Sequence, residues 1–173
     1  NLVKYGMMRN KDMYSNHDEN NLVLYGKYSR KDVCRLMNWD RDESSTMYGY
    51  RIKHNTCPIF VTYEKKDDIS ESTKYEDQFI NQQFSWMTRN GVAIDSRESQ
   101  EIINSEQSGL KIVLFIKKSD GEGTDFYYMG EVNPVDWRQT TIKNNKGRKL
   151  PIMNFLFKLK NSVREDIYEY FTK

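Results

Sequence analysis

Two apolar segments separated by a short turn lie in the second half of the chain. The first is Lys111–Lys118 (KIVLFIKK), the turn is Ser119–Thr124 (SDGEGT), and the second is Phe126–Val132 (FYYMGEV). A continuous apolar run of this length, bounded by turn residues, is typical of a buried strand. Two such runs joined by a glycine-containing turn predict a β-hairpin. The fold is therefore expected to be built around a sheet.

Other segments with strand character lie on both sides of this hairpin. In Pro151–Lys160 the side chains of Met153, Phe155, Phe157 and Leu159 fall on one face, which is the alternation of a half-buried strand. The remaining strand patterns are Tyr48–Lys53 and Pro58–Glu64, which are predicted to form a hairpin around His54-Asn55-Thr56, together with Phe84–Arg89 and Trp137–Lys143.

Serine residues mark the predicted starts of three short amphipathic helices. Ser29 is followed three residues later by Asp32, as in a capping box, and Ser96 and Ser162 occupy similar N-cap positions. Six or seven short strands, mostly joined by hairpins, and a few peripheral helices predict an α+β fold with a curved, barrel-like antiparallel sheet. A parallel βαβ architecture is disfavoured.

The composition is that of an ordinary globular domain. The chain has 173 residues and a formal net charge of +2, so a nucleic-acid-binding surface would have to arise from local clustering of charge. The polar stretch Asn10–Asn21 predicts a linker or tether over residues 1–21, before a domain at 22–173. Because the chain begins with Asn rather than Met, we expect either a module cut from a longer polypeptide or a processed chain.

The few cysteines and histidines argue against a structural zinc site. Cys34 and Cys57 lack CxxC spacing, and His17 and His54 are the only histidines. This cysteine usage favours a reduced, cytoplasmic protein. No apolar run approaches the length of a membrane span, so we expect no membrane partner.

The segment Pro58–Asn90 concentrates aromatic, acidic and lysine side chains in one strand-loop-strand passage, which suggests a wall for a flat, anionic ligand. The runs LVLYGKYSRKDV, PIFVTYEKKDDISESTKYEDQF, FSWMTRN and IVLFIKKSDGEGTDFYYMGEV resemble the C-terminal domain of bacterial fusions of a phospholipase-D-type nuclease and a superfamily 2 helicase. These fusions include the SauUSI-type Type IV restriction enzymes of phage defence.

The resemblance implies an SRA-like domain related to the PUA-type barrels, which hold a flipped 5-methylcytosine or 5-hydroxymethylcytosine. The implied function is target recognition in a modification-dependent restriction enzyme. Its partners would be double-stranded DNA with modified cytosine and the helicase and nuclease domains of the parent chain. The resemblance implies no cofactor for this domain, whereas the parent enzyme would use ATP and Mg²⁺.

The same resemblance implies the residues of the base pocket. A flipped base needs aromatic walls and a carboxylate for its Watson–Crick edge, and each stacked ring contributes about 1–3 kcal/mol. Tyr63 and Trp86 are the expected walls. The carboxylate stays open among Asp67, Asp68 and Asp77, in a segment that also carries Tyr75. Ser85 is expected to line the pocket, and Met87, Phe79 or Ile69 is expected to line a niche for the methyl group.

Basic residues at predicted strand ends and turns are candidates for contacts with phosphates. The turn Asn145–Arg148 is placed to enter a groove and support the opened duplex. The candidate residues are Lys65, Lys66, Arg89, Lys117, Lys118, Lys146, Arg148 and Lys149.

Other interpretations remain open for these residues. Tyr63 and Trp86 also suit a core, and lysines after apolar strands are common as solubilising residues. The domain is alternatively a helicase-associated interaction module, or binds the DNA backbone without reading a base. Glu64-Lys65-Lys66 imitates half of a metal-dependent nuclease motif, but the preceding strand pattern lacks the second carboxylate. We therefore expect no catalysis by this domain alone.

Overall fold

The computed structural model describes residues 22–39, 49–64, 78–80 and 82–172, so the predicted linker lies outside the described residues. A seven-stranded sheet forms the body. Its strands run in the order β2-β5-β6-β7-β4-β3, and β1 pairs with β6 outside this path. The strands are β1 (Lys27–Tyr28), β2 (Thr56–Glu64), β3 (Gln78–Ile80), β4 (Gln83–Met87), β5 (Lys111–Ser119), β6 (Phe126–Lys143) and β7 (Lys149–Leu159).

The sheet is mixed, so the prediction of an antiparallel sheet is wrong for one pair. β2 and β5 run parallel, with Thr56 opposite Lys111 and Ile59 opposite Leu114. The other described strand pairs are antiparallel, as expected. A parallel pair needs a long crossover connection, and here the chain passes through β3 and β4 before it returns alongside β2.

Strand β6 is 18 residues long and joins two segments predicted as separate strands. Its pairing with β7 shifts register between Pro134 and Asp136. Proline cannot donate to the ladder and is tolerated at such a bulge, which explains why the strand continues past Pro134. Beyond the bulge, β6 and β7 form a long hairpin that ends in the turn at residues 144–148.

The hairpin predicted from Tyr48–Lys53 and Pro58–Glu64 forms only in part, because the described part of the first segment is not a strand. From residue 49 onward, where the structure describes this segment, it is joined to β2 by two isolated bridges, between Tyr50 and Ile59 and between Lys53 and Thr56. His54 and Asn55 have φ values of 50° and 61°, as a type I′ turn requires at both central positions. The turn is therefore confirmed although the first strand is not.

Two of the predicted helix caps are confirmed. Helix α1 (Arg30–Leu36) begins with the capping box of Ser29 and Asp32. The backbone N–H of Ser29 donates to the Asp32 carboxylate and lowers its pKa. Ser96 caps α2 (Arg97–Ile103). Ser162 does not cap the last helix, which begins three residues later. The short α3 (Ser105–Ser108) and the C-terminal α4 (Glu165–Thr172) complete the α-helices of the described chain, and Asp120–Glu122 form a 3₁₀ helix after β5.

Apolar side chains are buried on both faces of the sheet. On β5, Ile112, Leu114 and Ile116 belong to one core, and Val113 and Phe115 belong to the other. Helices α2 and α4 cover the first core and α1 covers the second. The prediction of an α+β fold with a curved sheet and peripheral helices is confirmed.

Candidate nucleic-acid interface

The two ends of the strand order meet at Tyr63 and Phe79. Tyr63 lies near the end of β2 and Phe79 lies in β3, yet their rings stack with centroids 5.8 Å apart and planes inclined by 25°. The backbone N–H of Phe79 hydrogen-bonds the Tyr63 hydroxyl, and burial raises the pKa of Tyr63. Strands from opposite ends of the order can touch only because the sheet curls into a half-barrel.

This contact joins the strands on either side of the predicted base-reading segment. Tyr63 precedes that segment and Phe79 follows it. The predicted residues that fall between them lie outside the described residues. These are Lys65, Lys66, Asp67, Asp68, Ile69, Tyr75 and Asp77.

Trp86 lies inside the aromatic core. Only 4% of it is exposed. The Tyr50 ring lies nearly perpendicular to it at a centroid distance of 5.0 Å, and the centroids of the Phe155 and Phe157 rings lie 6.0 and 5.6 Å from it. Tyr63 is partly buried and packs against the same core cluster, but it contacts different rings. The structure thus does not place Tyr63 and Trp86 face to face, and a stacking role for Trp86 stays a prediction.

Ser85 and Met87 point away from Trp86, because side chains alternate along β4. They line a depression of about 190 Å³ on the open face of β4, β7 and β6. Strand register sets two rows of side chains across it, Ser85-Leu156-Asp136 and Met87-Asn154-Arg138. The predicted pocket residues are therefore divided between two faces of the sheet. The polar groups of this depression that sequence reasoning missed are Asp136, Arg138 and Asn154.

Three of the predicted phosphate contacts have partners inside the protein. Lys117 is 9% exposed, donates from Nζ to the Gly123 carbonyl at 3.1 Å, and lies 3.3 Å from an Asp120 carboxylate oxygen. The ammonium nitrogen of Lys118 lies 5.2 Å from the centre of the Tyr170 ring. Arg89 is paired within a cleft described below. Lys117 in particular is buried and paired within the protein, whereas a residue that contacts phosphates would be exposed at the surface.

The remaining predicted cations, Lys146, Arg148 and Lys149, are exposed at the end of the β6–β7 hairpin. The Asn144 side-chain oxygen accepts hydrogen bonds from the backbone N–H groups of Lys146 (3.0 Å) and Arg148 (2.9 Å). Gly147 has a φ of 77°, a left-handed conformation that glycine adopts without a Cβ penalty. The turn therefore has a defined shape that presents its cations outward.

Positive charge is concentrated around this hairpin, although the net charge of the whole chain is only +2. No acidic residue occurs between Asp136 and Glu165. The basic residues of that stretch are Arg138, Lys143, Lys146, Arg148, Lys149, Lys158, Lys160 and Arg164.

A larger cleft of about 680 Å³ lies beside α2. Tyr50 donates to Glu98 at 2.8 Å, and Arg89 donates to the Tyr50 hydroxyl at 3.2 Å and to Glu98 at 2.7 Å. Burial raises the pKa of Tyr50, and hydrogen bonding to Glu98 adds to this. The other lining residues are Arg51, Ile52, Lys53, His54, Asn55, Arg97, Glu101, Ser108 and Leu110.

The residues that the structure describes show neither a metal site nor a membrane span. Within residues 22–39, 49–64, 78–80 and 82–172, no group of three His, Cys, Asp or Glu side chains is placed to hold a metal ion. In the same ranges, no helix is sufficiently long and apolar to cross a bilayer.

The sequence matches the profile of a family described as a domain of unknown function (DUF3427) over residues 22–171. The chain belongs to the DUF3427 family. The match begins at the first residue that the structure describes. No curated protein matches the sequence.

Solved structures share the fold of this DUF3427 domain at low sequence identity. The DNA modification-dependent restriction endonuclease AspBHI has a TM-score of 0.55 and 14% identity, over 83% of this chain and 43% of its own. KRYPTONITE in complex with mCHH DNA, H3(1-15) peptide and SAH has a TM-score of 0.50 and 9% identity, over 92% of this chain and 37% of its own.

The sulfur binding domain and SRA domain of ScoMcrA complexed with phosphorothioated DNA has a TM-score of 0.48 and 8% identity, over 87% of this chain and 45% of its own. The DUF3427 chain thus spans less than half the length of each of these proteins. The likeness to AspBHI and KRYPTONITE shows a common fold.

Proposed function

We propose that this domain recognises DNA that carries a modified cytosine, and that it holds 5-methylcytosine or 5-hydroxymethylcytosine outside the duplex. It would be the non-catalytic target-recognition module of a cytoplasmic Type IV restriction enzyme of the SauUSI type. The nuclease and helicase domains of the parent chain would then supply strand cleavage and ATP hydrolysis with Mg²⁺.

The basic β6–β7 hairpin is the observation that carries this proposal. DNA binding is driven largely by cations that neutralise phosphates and release counterions. The hairpin presents Lys146, Arg148 and Lys149 from a turn that Asn144 holds in shape. Its flanking strands add Arg138 and Lys143 without an intervening acidic residue. A rigid cationic hairpin on a fold shared with a modification-dependent endonuclease suits an approach to duplex DNA.

Tyr63 is the best supported of the predicted base-stacking residues. Extruding a base costs a few kcal/mol, and an aromatic ring recovers about 1–3 kcal/mol by stacking. The Tyr63 ring is half-buried, so part of its surface meets solvent while its hydroxyl is tied to β3. The carboxylate that reads the base edge is proposed among Asp67, Asp68 and Asp77.

A titration with matched duplexes tests the proposal. Duplexes that differ only in the modification of one cytosine are titrated into the 173-residue chain at about 50 and about 200 mM salt. The proposal requires tighter binding of the modified duplex. Equal affinities with a steep salt dependence would leave a backbone binder, and absence of binding to either duplex would favour an interaction module.

Variants separate backbone binding from base recognition. The triple variant K146A/R148A/K149A should weaken binding of both duplexes alike and lower the salt slope by about 0.9 for each phosphate that is no longer neutralised. Arg35→Ala is the matched control, because the Arg35 side chain is 78% exposed on α1, outside the hairpin. Tyr63→Ala should weaken binding of the modified duplex selectively.

A further inference from the structure

We infer that Phe79, rather than Trp86, is the second aromatic wall of the base site, and that the Tyr63–Phe79 stack is the closed form of that site. This inference rests on the proposed function and deepens it. It makes Phe79, on β3, a residue that contacts the base, and it makes Trp86 a residue of the core.

The geometry of the Tyr63–Phe79 pair is close to that of two walls. Their planes are inclined by only 25°, at a centroid distance of 5.8 Å. Aromatic carbons in contact lie about 3.5 Å apart, so a base between two parallel rings needs ring planes about 7 Å apart. Because the two rings are already stacked, their planes would have to separate by about a further 3.5 Å, or one ring would have to turn aside, to admit a pyrimidine.

The two rings differ in how firmly they are held. Phe79 is 7% exposed and is backed by Phe84 at 5.1 Å, Tyr168 at 5.6 Å and Phe171 at 6.3 Å. The Tyr63 ring is half-buried and reaches solvent on part of its surface. Phe79 is therefore the more firmly packed wall. Tyr63 is the side chain that moves to admit the base, and in moving it gives up its contact with Phe171 at 6.1 Å.

Opening this pair gives up the ring–ring contact and the hydrogen bond of the Tyr63 hydroxyl to the Phe79 backbone, and it gains two ring–base contacts. Trp86 offers no such exchange, because the rings of Tyr50, Phe155 and Phe157 surround it. A base beside Trp86 would have to displace side chains from β7 as well as Tyr50. The cost would be that of disrupting a packed core.

Binding by the Phe79→Leu variant of the 173-residue chain tests the inference. Leucine keeps an apolar side chain but removes the flat face, so affinity for the modified duplex should fall about fivefold or more. Affinity for the unmodified duplex should not change. Trp86→Phe, which keeps a ring in the core, is the control and should retain the preference. An unchanged affinity of Phe79→Leu for the modified duplex would overturn the assignment.

Crosslinking of the wild-type protein gives a second test, which does not require any variant to fold. A duplex with 5-iodocytosine at the target position is irradiated in the complex, and the attached residue is identified by peptide mapping. Attachment to Phe79 is expected, and attachment to Trp86 would overturn the inference while leaving the proposed function intact. If the wild-type chain shows no preference for the modified duplex, the proposed function itself fails.

Discussion

The guanidinium carbon of Arg89 lies 4.3 Å from the centre of the Tyr50 ring, while Arg89 Nε donates to the hydroxyl of the same residue at 3.2 Å. Glu98 closes the network by accepting from both partners. Arg89 follows β4 and Glu98 lies on α2, so these contacts fasten the helix to the sheet. Arg89 is therefore committed to the architecture of the cleft.

Removing Arg89 should destabilise the fold modestly. Arg89 and Glu98 are 39% and 36% exposed, so solvent screening limits the strength of their pairing. Arg89→Ala should lower the free energy of unfolding by about 1–2 kcal/mol, since it also leaves the Tyr50 hydroxyl with one partner fewer. Urea titration measures this change.

Arg97→Ala is the matched control for Arg89→Ala. Arg97 pairs with Glu101 at 3.0 Å on the surface of α2 and is 92% exposed. Its removal should change stability by less than about 0.5 kcal/mol. Equal effects of the two variants would contradict a structural role for the Arg89 network.

Buried acidic protons predict a loss of stability at alkaline pH. Burial raises the pKa of the Cys57 thiol and that of Tyr50, so in each case the unfolded chain releases the proton at a lower pH than the folded protein does. The free energy of unfolding should fall above about pH 8.5 because of Cys57, and more steeply above about pH 10 because of Tyr50.

Tyr50→Phe should reduce the steeper part of this decline without abolishing it, because burial also raises the pKa of Tyr63. Urea titrations between about pH 8 and about pH 11 follow the effect. A Tyr50→Phe variant with the same dependence on pH as the wild type would show that this hydroxyl titrates equally in the folded and unfolded states.

Features of the fold that depend on neighbours in sequence were predictable. The capping box of Ser29 and Asp32 and the hairpin formed by β5 and β6 are fixed by residues a few positions apart. The parallel pairing of β2 with β5 was not predictable, since it depends on where a long crossover returns. The continuation of β6 past Pro134 depends on a bulge that only the pairing with β7 shows.

The candidate site was predicted only in part, for a similar reason. On β4 the pattern Gln83-Phe84-Ser85-Trp86 alternates polar and apolar side chains, which already indicates that Trp86 shares the buried face of Phe84. The resemblance to a pocket motif outweighed that local signal. Phe79 could not be ranked above Trp86 from the sequence, because its contact with Tyr63 depends on the closure of the sheet.

Lys117 should matter for stability and not for DNA binding. Its ammonium group donates to the Gly123 carbonyl and lies 4.9 Å from the centre of the Phe126 ring. Lys117→Ala should lower the free energy of unfolding by about 1–2 kcal/mol, because the variant lacks this hydrogen bond and the packing of the lysine stem. Affinity for either duplex should stay within about twofold of the wild-type value.

Lys143→Ala is the comparison for Lys117→Ala, because Lys143 is exposed on the β6–β7 hairpin. It should show the reverse pattern, with stability unchanged and weaker binding of both duplexes. Unfolding and DNA titrations on the same two preparations compare them directly. If the Lys117→Ala variant is folded but binds DNA more weakly, Lys117 contributes to the DNA interface.

Asn144 tests whether the shape of the basic turn contributes to binding beyond its charge. Asn144→Ala removes the acceptor for the Lys146 and Arg148 backbone N–H groups and leaves every cation in place. The turn should then sample more conformations, and affinity for both duplexes should fall by about three- to tenfold because ordering the turn costs entropy on binding. The salt slope should stay unchanged, since the same number of phosphates is neutralised. Thr141→Ala is the control, because Thr141 is an uncharged, exposed position of the same hairpin. A lower salt slope for Asn144→Ala would mean that the variant neutralises fewer phosphates, and unchanged affinity would mean that charge alone determines how this hairpin meets DNA.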